Sequence, residues 1–274
     1  MSSQTTQPEI GVFGGSGFQK LLEKAEMREI DTPWGRPSAS IAVGMFAGKK
    51  IAFLPRHGVS HEYPPHAIPY RANIAAFREI GVKRIISPCA VGSLQRHVAP
   101  GNFVVCDQLV DRTKQRGDTF YDSPSTGPTT HISFADPYCP ELRRLATQAC
   151  ETAGVTMHPS GTVVVVEGPR FSTRAESRWF TSQGWEVINM TQYPEAALAR
   201  EKECCFVNIS LVTDWDTGFS LDSGIEAVTV DKIIEVSQQN NKKLIDVLEV
   251  LIASLPPAAT ASCQCKNALE HAQL

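Results

Sequence analysis

The chain has 274 residues and 42% hydrophobic content, enough for one large domain or two small ones with a substantial buried core. Its 26 basic and 29 acidic residues give a formal charge of −3, and no basic block with interleaved aromatics stands out, so we expect no nucleic-acid partner. No stretch approaches the roughly 18 to 20 apolar residues of a membrane span, and the polar start lacks signal-peptide features. We therefore expect a cytoplasmic protein with no membrane partner.

Apolar runs and helical patterns alternate along the chain. Short apolar or β-branched runs predict strands at 10–13, 50–54, 84–87, 102–107, 161–167, 186–189 and 205–212. Helical periodicity predicts helices at 70–80, 140–153, 172–183 and 194–200, and a long terminal helix over 230–254 that ends before two prolines. This alternation predicts one α/β domain over 1–274 with a partly parallel sheet, a polar leader at 1–8 and a tail at about 258–274.

A glycine-rich stretch, GVFGGSG, covers residues 11–17 behind the first predicted strand. Its spacing does not match the G-x-G-x-x-G of dinucleotide-binding folds, and the G-K-[ST] of triphosphate loops is absent. A tight turn remains, whose backbone N–H groups and Ser16 hydroxyl could hold a small oxyanion. On these residues alone, a simple strand-to-loop turn fits equally well.

Two further strand ends carry possible oxyanion-binding groups. Arg56 and His57 directly follow the predicted strand at 50–54, and Arg offers a planar fork of donors. The small residues CAVGSL at 89–94 follow the strand at 84–87 and would form a turn that lets backbone approach a ligand. Three such turns after successive strands indicate a phosphate-type ligand in the crevice at the strand ends.

Other strand ends carry residues suited to a nucleoside. Phe171 follows one strand and could stack on a base, while Met190 and Thr191 end another. Asp214 and Asp216 are two residues apart, which places them on one face of an extended segment. Paired carboxylates raise each other's pKa, which suits one of them to donating a proton. Taken alone, Asp-Thr-Gly equally marks a turn or a helix cap.

Two segments remain outside this scheme. The polar loop at 114–131 is too long for a simple connector and predicts a lid or an oligomer contact. Eight cysteines in a chain without a secretory signal predict buried thiols. Cys263 and Cys265 form a C-x-C pair in a segment that we expect to be mobile. The pair could be half of a redox or metal site, but without further ligands at suitable spacing we favour two reduced thiols.

A series of motifs runs in one order along nearly the whole chain: GGSG, DTPWGRPS, PRHG, YRANI, GSL, DQLVDRT, FYD, HISFADPYCP, GTVVVVEGPRFSTRAES, INMT, PE and TDWD. In these motifs the chain resembles the 5'-methylthioadenosine phosphorylases, of the trimeric class of purine nucleoside phosphorylases. The resemblance implies a three-layer αβα fold of the phosphorylase/hydrolase-like kind, with a central mixed, largely parallel sheet. It also implies a homotrimer and a pentosyltransferase that uses inorganic phosphate as co-substrate, without cofactor or metal.

The resemblance assigns roles to individual residues. The phosphate site would contain Ser16, Arg56, His57, Ala90 and Thr191. The nucleoside site would contain Phe171, Met190, Asp214, Asp216, Val230, Ile233 and, from a neighbouring subunit, His131. Val230 and Ile233 would form an apolar pocket for the 5'-methylthio group. Asp216, as a neutral acid, would hydrogen-bond to or protonate purine N7, and Asp214 would accept from the 6-amino group.

The implied reaction converts 5'-methylthioadenosine and phosphate to adenine and 5-methylthioribose 1-phosphate, a step of purine and methionine salvage. The nearest alternative is a phosphorylase for 6-oxopurine nucleosides such as methylthioinosine or inosine, but an ionised Asp214 faces a 6-oxo group poorly. A hydrolytic nucleosidase would not need Arg56 and His57. An inactive nucleotide-binding scaffold or a dinucleotide-dependent oxidoreductase are more distant alternatives. The family usually has Thr at the position of Cys89, and many members have Thr at that of Ser16.

Overall fold

A computed structural model describes residues 7–15, 21–219 and 230–274, with the backbone alone at 219 and over 230–234. The strands are β1 (Ile10–Gly14), β2 (Glu23–Arg28), β3 (Ile41–Phe46), β4 (Lys49–Pro55), β5 (Arg84–Ser93), β6 (Phe103–Val104), β7 (Gln108–Arg112), β8 (Met157–His158), β9 (Thr162–Val166), β10 (Val187–Asn189) and β11 (Cys205–Trp215). The helices are α1 (Tyr70–Glu79), α2 (Pro140–Thr152), α3 (Arg174–Ser182), α4 (Gln192–Glu201) and α5 (Val230–Ser254).

The described strands form one mixed sheet with β5 at its centre. The strand order is β2-β3-β4-β1-β5-β10-β9-β7. Beside this path, β11 pairs with β5 and with the short strand β6, which pairs with β8. The pairings β1–β4, β1–β5, β5–β11 and β9–β10 are parallel, whereas β2–β3, β3–β4 and β5–β10 are antiparallel. The mixed, largely parallel sheet that the resemblance implies is therefore confirmed.

Helices cover both faces of the sheet. On one face, Phe77 of α1 and Leu198 of α4 pack in a core that includes Phe13 of β1. On the other, Leu142 of α2 and Leu248 of α5 share a core with the β11 strand. Burying each of these side chains contributes about 1.5–3 kcal/mol. The resulting arrangement is the expected three-layer αβα fold.

Local sequence signals explain where several helices begin and end. Thr173 and Glu176 form a reciprocal capping box at the start of α3, with N···O distances of 2.7 and 3.2 Å between each backbone and the other side chain. Pro140 is the first residue of α2, where its missing N–H costs no helical hydrogen bond. Helix α5 ends at Ser254, shortly before Pro256. These helices start and stop close to the predicted positions.

Strand β5 differs from the prediction. The segment 89–94 was expected to be a turn, but β5 continues through Pro88 to Ser93, so that prediction is wrong. Arg84–Ile86 pairs with β1, Gly92 and Ser93 pair with β10, and β11 pairs along both parts. Pro88 lies between the two partner stretches, where its missing N–H breaks no pairing with either β1 or β10.

Other strand predictions also need correction. The strands β2, β3, β7 and β8 were not predicted. β2 is polar and largely exposed, and Gly44 of β3 lies against its backbone, where a Cβ would come within 2.9 Å of Glu23 O. The expected strand at 102–107 is reduced to β6. β11 extends beyond residue 212, so that Asp214 lies within a strand rather than after it.

The loop at 114–131 is anchored to the domain. The side chain of Phe120 is buried, and its backbone N–H donates to the Glu201 carboxylate at 2.7 Å, as does the Thr119 hydroxyl. Arg116 donates to the carbonyl of Glu167 at 2.8 Å and is also buried. Such anchoring does not fit the lid that the sequence suggested, whereas an oligomer contact stays a prediction.

The tail is packed rather than mobile. Cys263 and Cys265 are buried in the same core as α2 and α5, so the expected mobility of this pair is wrong. The backbone N–H of Leu274 donates to the carbonyl of Thr129 at 3.1 Å, which attaches the tail to the long loop. Among the helices within the described ranges, none has the length and apolar character needed to cross a membrane.

Candidate active site

A cavity of about 760 Å³ lies where the ends of several strands meet. Eight of the predicted site residues line it: Arg56, His57, Ala90, Phe171, Met190, Thr191, Asp214 and Asp216. Gly14 and Gly15 line it as well, at the end of β1. The parallel strands β1, β4 and β11 thus bring residues far apart in sequence to one crevice, as the strand-end argument predicts.

Four predicted residues do not belong to this described lining. Ser16 lies outside the described residues. Val230 and Ile233 are in the first turns of α5, but their side chains lie outside the described part of the chain. His131 is exposed and does not line the cavity, and its backbone N–H donates to Ala272 O at 2.7 Å. The roles of all four stay predictions.

Arg56 is fixed by a buried ion pair that the sequence analysis missed. Its Nε and Nη2 donate to the two oxygens of Glu195 at 2.5 and 3.3 Å, and both side chains are almost fully buried. Nη2 also donates to Ser87 Oγ at 2.6 Å, and Nη1 donates to the Pro88 carbonyl at 3.1 Å. Of the five guanidinium N–H donors, one on Nη1 is left for a ligand.

The Arg56 guanidinium keeps its charge in this setting. Burial acts to lower the pKa of Arg56, but the charge and hydrogen bond of Glu195 together raise it above its ordinary value. Ser87 Oγ also donates to Glu195, at 2.8 Å, which leaves the carboxylate well satisfied. A rigidly held guanidinium with one open N–H at this end of the cavity is suited to donating to an oxyanion.

His57 sits beside Arg56 as a neutral imidazole. Burial, assisted by the Arg56 charge, lowers the pKa of His57 to about 4. Its Nδ1 lies 2.9 Å from the carbonyl oxygen of Tyr63, and because a carbonyl only accepts, Nδ1 carries the proton. Nε2 is then an acceptor, suited to a protonated oxygen of a phosphate.

Cys89, where the resemblance implies a threonine, also lines the cavity. Its thiol is nearly buried and receives hydrogen bonds from Asn189 Nδ2 and Asn208 Nδ2, both at 3.1 Å. These two amides hold the sulfur in place. The thiol is therefore a weak candidate for binding phosphate.

The two carboxylates at the other end of the cavity face the same glycine. A Cβ atom built on Gly92 would lie 3.2 Å from Asp214 Oδ2 and 3.5 Å from the Cβ of Asp216. The Thr213 hydroxyl donates to Asp214 Oδ1 at 2.6 Å. The shared face that the spacing predicts is present, and it needs a residue without a side chain at position 92.

Both carboxyl groups are shifted toward the protonated form. Burial, with a smaller contribution from Asp216, raises the pKa of Asp214 to about 6. Burial likewise raises the pKa of Asp216, against hydrogen bonds from Ser177, the Thr217 backbone and Ser172 that act to lower it. Asp216 Oδ2 is buried and has no hydrogen-bond partner among the described residues. A buried carboxyl oxygen without a partner in a cavity is suited to binding a polar ligand atom.

The walls between these two ends are mainly apolar. They include Val91, Val166, Ile188, Leu211 and Leu244. Phe171 is 42% exposed although it lines the cavity, which leaves its ring free to cover a ligand. Met190 packs against Gly168, where a Cβ would come 2.5 Å from the methionine sulfur. A cavity with these mainly apolar walls suits the flat faces of a purine.

Sequence reasoning missed other residues of the lining. Ser237, Gln238 and Asn241 of α5 face the cavity, and they lie later in the helix than the predicted pair Val230 and Ile233. Their polar pattern gave no signal because it matches an exposed helix face. Glu195 received no role, because neither the burial of Arg56 nor its pairing with Glu195 is visible in the sequence.

The chain matches the model of the phosphorylase superfamily over residues 9–253. It is 52% identical to the S-methyl-5'-thioadenosine phosphorylase of Mycolicibacterium smegmatis, over 86% of this chain and 88% of the relative. It is 47% identical to the purine nucleoside phosphorylase of Streptomyces coelicolor, over 95% and 94% of the two chains.

A solved structure has the same fold. The methylthioadenosine phosphorylase from an antarctic soil metagenomic library superposes with a TM-score of 0.90 at 37% identity, over 98% of this chain and 93% of that one. At these identities and coverages, fold and family are shared over the whole domain. This chain therefore belongs to the phosphorylase superfamily, in the branch that contains the S-methyl-5'-thioadenosine phosphorylases.

Proposed function

We propose that this chain cleaves 5'-methylthioadenosine with inorganic phosphate to adenine and 5-methylthioribose 1-phosphate, without a further cofactor. One observation carries the proposal: a single cavity holds a fixed cation at one end and two protonatable carboxyls at the other. The M. smegmatis relative, with its methylthioadenosine phosphorylase name, supports the same substrate.

At the cation end, Arg56 and His57 would bind phosphate. The free Nη1 donor of Arg56 would donate to one phosphate oxygen, and His57 Nε2 would accept from a protonated one. Gly14 and Gly15 would let the backbone approach a third phosphate oxygen. Held in this way, a phosphate oxygen is positioned to form a bond with ribose C1'.

At the carboxyl end, the purine would leave. As the C1'–N9 bond breaks, its electron pair moves onto the purine imidazole, and the ribose ring becomes positive. Asp216, whose pKa burial raises, would in its protonated form donate its proton or a hydrogen bond to N7. Phosphate supplies the negative charge beside the ribose, so the site stabilises opposite charges on the two fragments.

Asp214 would select the base. With a pKa of about 6, it is mainly ionised at neutral pH and accepts well from a 6-amino group. A 6-oxo group in its place would put two acceptors against each other in a buried site. We therefore infer adenine, rather than a 6-oxopurine, as the leaving base.

The 6-oxopurine phosphorylase is the second candidate. The S. coelicolor relative, named a purine nucleoside phosphorylase, favours it. The raised pKa of Asp214 also leaves part of this residue protonated near pH 6, where it can donate to a 6-oxo group. A broad nucleoside range would follow if that protonated fraction were used.

We also propose that the chain acts as a homotrimer in the cytoplasm. The long loop presents His131 at the surface, fixed by the tail through the hydrogen bond to Ala272. From there it could enter a neighbouring cavity. Sedimentation equilibrium would give three times the chain mass, and a monomer that remains active would contradict this role of His131.

The function is tested with purified protein and methylthioadenosine, with and without phosphate, by chromatography of released adenine. Methylthioinosine and inosine serve as parallel substrates, and Asp216→Ala is the inactive control. We expect adenine release that requires phosphate. Release without phosphate would instead identify a hydrolase, release from the 6-oxo substrates alone would favour the second candidate, and no release from any substrate would favour a scaffold.

A further inference from the structure

Four cysteines from three separate parts of the chain meet at one point. Cys139 directly precedes α2, Cys205 is the first residue of β11, and Cys263 and Cys265 belong to the tail. All four are buried and free, and their sulfur atoms lie within 4.8 Å of one another. The C-x-C pair, half of a site in sequence, is thus completed by two distant thiols.

The spacing of these sulfurs fits tetrahedral metal coordination. Zinc–sulfur bonds of about 2.3 Å place tetrahedral sulfurs about 3.8 Å apart. Cys205 and Cys263 Sγ are 3.4 Å apart, and the widest pair needs to close by only about 1 Å. A disulfide would need a sulfur pair at about 2.05 Å, which the 3.4 Å between Cys205 and Cys263 Sγ exceeds.

We propose that these four thiolates bind one Zn²⁺ ion, or a similar soft divalent cation, as a closed structural site. Binding would replace four S–H bonds with four metal–sulfur bonds and release four protons to solvent, so that no oxidant or reductant takes part. We name the four residues the cysteine cluster.

The surroundings suit the charge of such a site. Four thiolates around a divalent cation carry a net charge of two minus. Cys205 and Cys263 line a cavity of about 210 Å³ together with Arg78, Lys83, Arg84, Lys266 and the carboxylate of Glu203. This mostly basic cavity offers both a path to the cluster and compensating charge. At Cys139, the backbone N–H of Leu142 also points to the sulfur at 3.5 Å.

The cysteine cluster is remote from the active-site cavity. Cys205 and Asp214 lie nine residues apart near opposite ends of β11, a distance of about 30 Å along a strand. A metal there cannot touch the reacting atoms. Its effect would be to attach the tail to β11 and to the start of α2, which contributes stability and not chemistry.

The first test titrates reduced protein, freed of metal with a chelator, with Co²⁺ as a spectroscopic probe. We expect one Co²⁺ per chain, the intense visible absorption of a tetrahedral thiolate complex, and a raised Tm. Zn²⁺ should displace Co²⁺ and abolish the absorption. Reduced protein with all eight thiols free that binds no Co²⁺ would overturn the proposal, independently of any activity.

The second test compares Cys265→Ser with Cys204→Ser. Cys204 adjoins the cluster in sequence, and its thiol donates to the carbonyls of Val82 and Lys202, which a serine hydroxyl can also do. Cys265→Ser should weaken Co²⁺ binding at least about tenfold and change the spectrum, whereas Cys204→Ser should match wild type. Equal Co²⁺ binding by both variants would contradict the site. So would protein whose cluster sulfurs form disulfides and which takes up no metal after these are reduced.

Discussion

At the cation end of the cavity Arg56 has protein partners for four of its five donors, whereas at the carboxyl end Asp216 Oδ2 has no partner within the described residues. The first end is already arranged before a ligand arrives, so that binding reorganises little. The second retains groups whose protonation a ligand can change. Rigid charge suits a co-substrate that does not vary, and adjustable protonation suits a leaving group that gains electrons.

The largest effect is expected for Arg56→Ala. It leaves Glu195 buried without its cation, which should lower the free energy of unfolding by about 3–5 kcal/mol and abolish phosphate-dependent turnover. Urea unfolding measures the first effect and adenine release the second. The double variant Arg56→Ala/Glu195→Ala is the control. It should regain much of the stability but no activity, and a double variant no more stable than the single one would refute the buried-pair argument.

At the purine end, Asp216→Ala should lower kcat for methylthioadenosine by about 10²–10⁴, the usual contribution of a general acid. Asp216→Asn keeps an N–H donor toward N7 and should lose less. Steady-state kinetics with saturating phosphate measures both variants. A greater loss of kcat in Asp214→Ala than in Asp216→Ala would mean that the two carboxylates exchange the roles assigned to them.

The pH dependence of the preference for an adenine over a 6-oxopurine nucleoside tests the role of Asp214. Its pKa of about 6 means that the carboxylate is lost as pH falls through that value. The ratio of kcat/KM for methylthioadenosine to that for methylthioinosine should therefore fall below pH 6, by up to about tenfold per pH unit. In Asp214→Asn the ratio should be lower and independent of pH. A wild-type ratio that stays constant across pH 6 would exclude Asp214 as the selecting group.

The smallest effect is expected for Gly92→Ala. The new Cβ, 3.1 Å from Ile188 Cγ2 and 3.2 Å from Asp214 Oδ2, would displace these two groups by a few tenths of an ångström and lower kcat/KM for the nucleoside about tenfold. KM for phosphate should not change, because the displacement is confined to the carboxyl end of the cavity. A rise in both KM values would show that the two ends are not independent.

Much of the fold follows from local sequence pattern. The strands β1, β4 and β9 are apolar runs next to turn residues, and α1, α2 and α3 have clear boundaries, so both types were predicted nearly in full. The second half of β5 was not, because Pro88 and small residues argue against a strand. Its conformation is decided by pairing with β10 and β11, which lie far along the chain.

The residues of the candidate site likewise fall into those that the local sequence predicts and those that it does not. Arg56 and the two aspartates were found because chemically active residues at strand ends form a local pattern. Glu195 was not found, because its importance depends on lying 2.5 Å from Arg56 Nε, across 139 residues of sequence. The cysteine cluster shows the same limit, since Cys139 and Cys205 join Cys263 and Cys265 only in three dimensions.

The buried pair of Arg56 and Glu195 also constrains how this enzyme can diverge. Substitution of either residue alone leaves one buried charge without its partner. Replacing both in two single steps would therefore pass through a destabilised protein. Asp214 and Gly92 carry no such obligation, and each can mutate singly while the protein still folds. We therefore expect substitutions of Asp214 or Gly92 to be tolerated singly more readily than substitutions of Arg56 or Glu195.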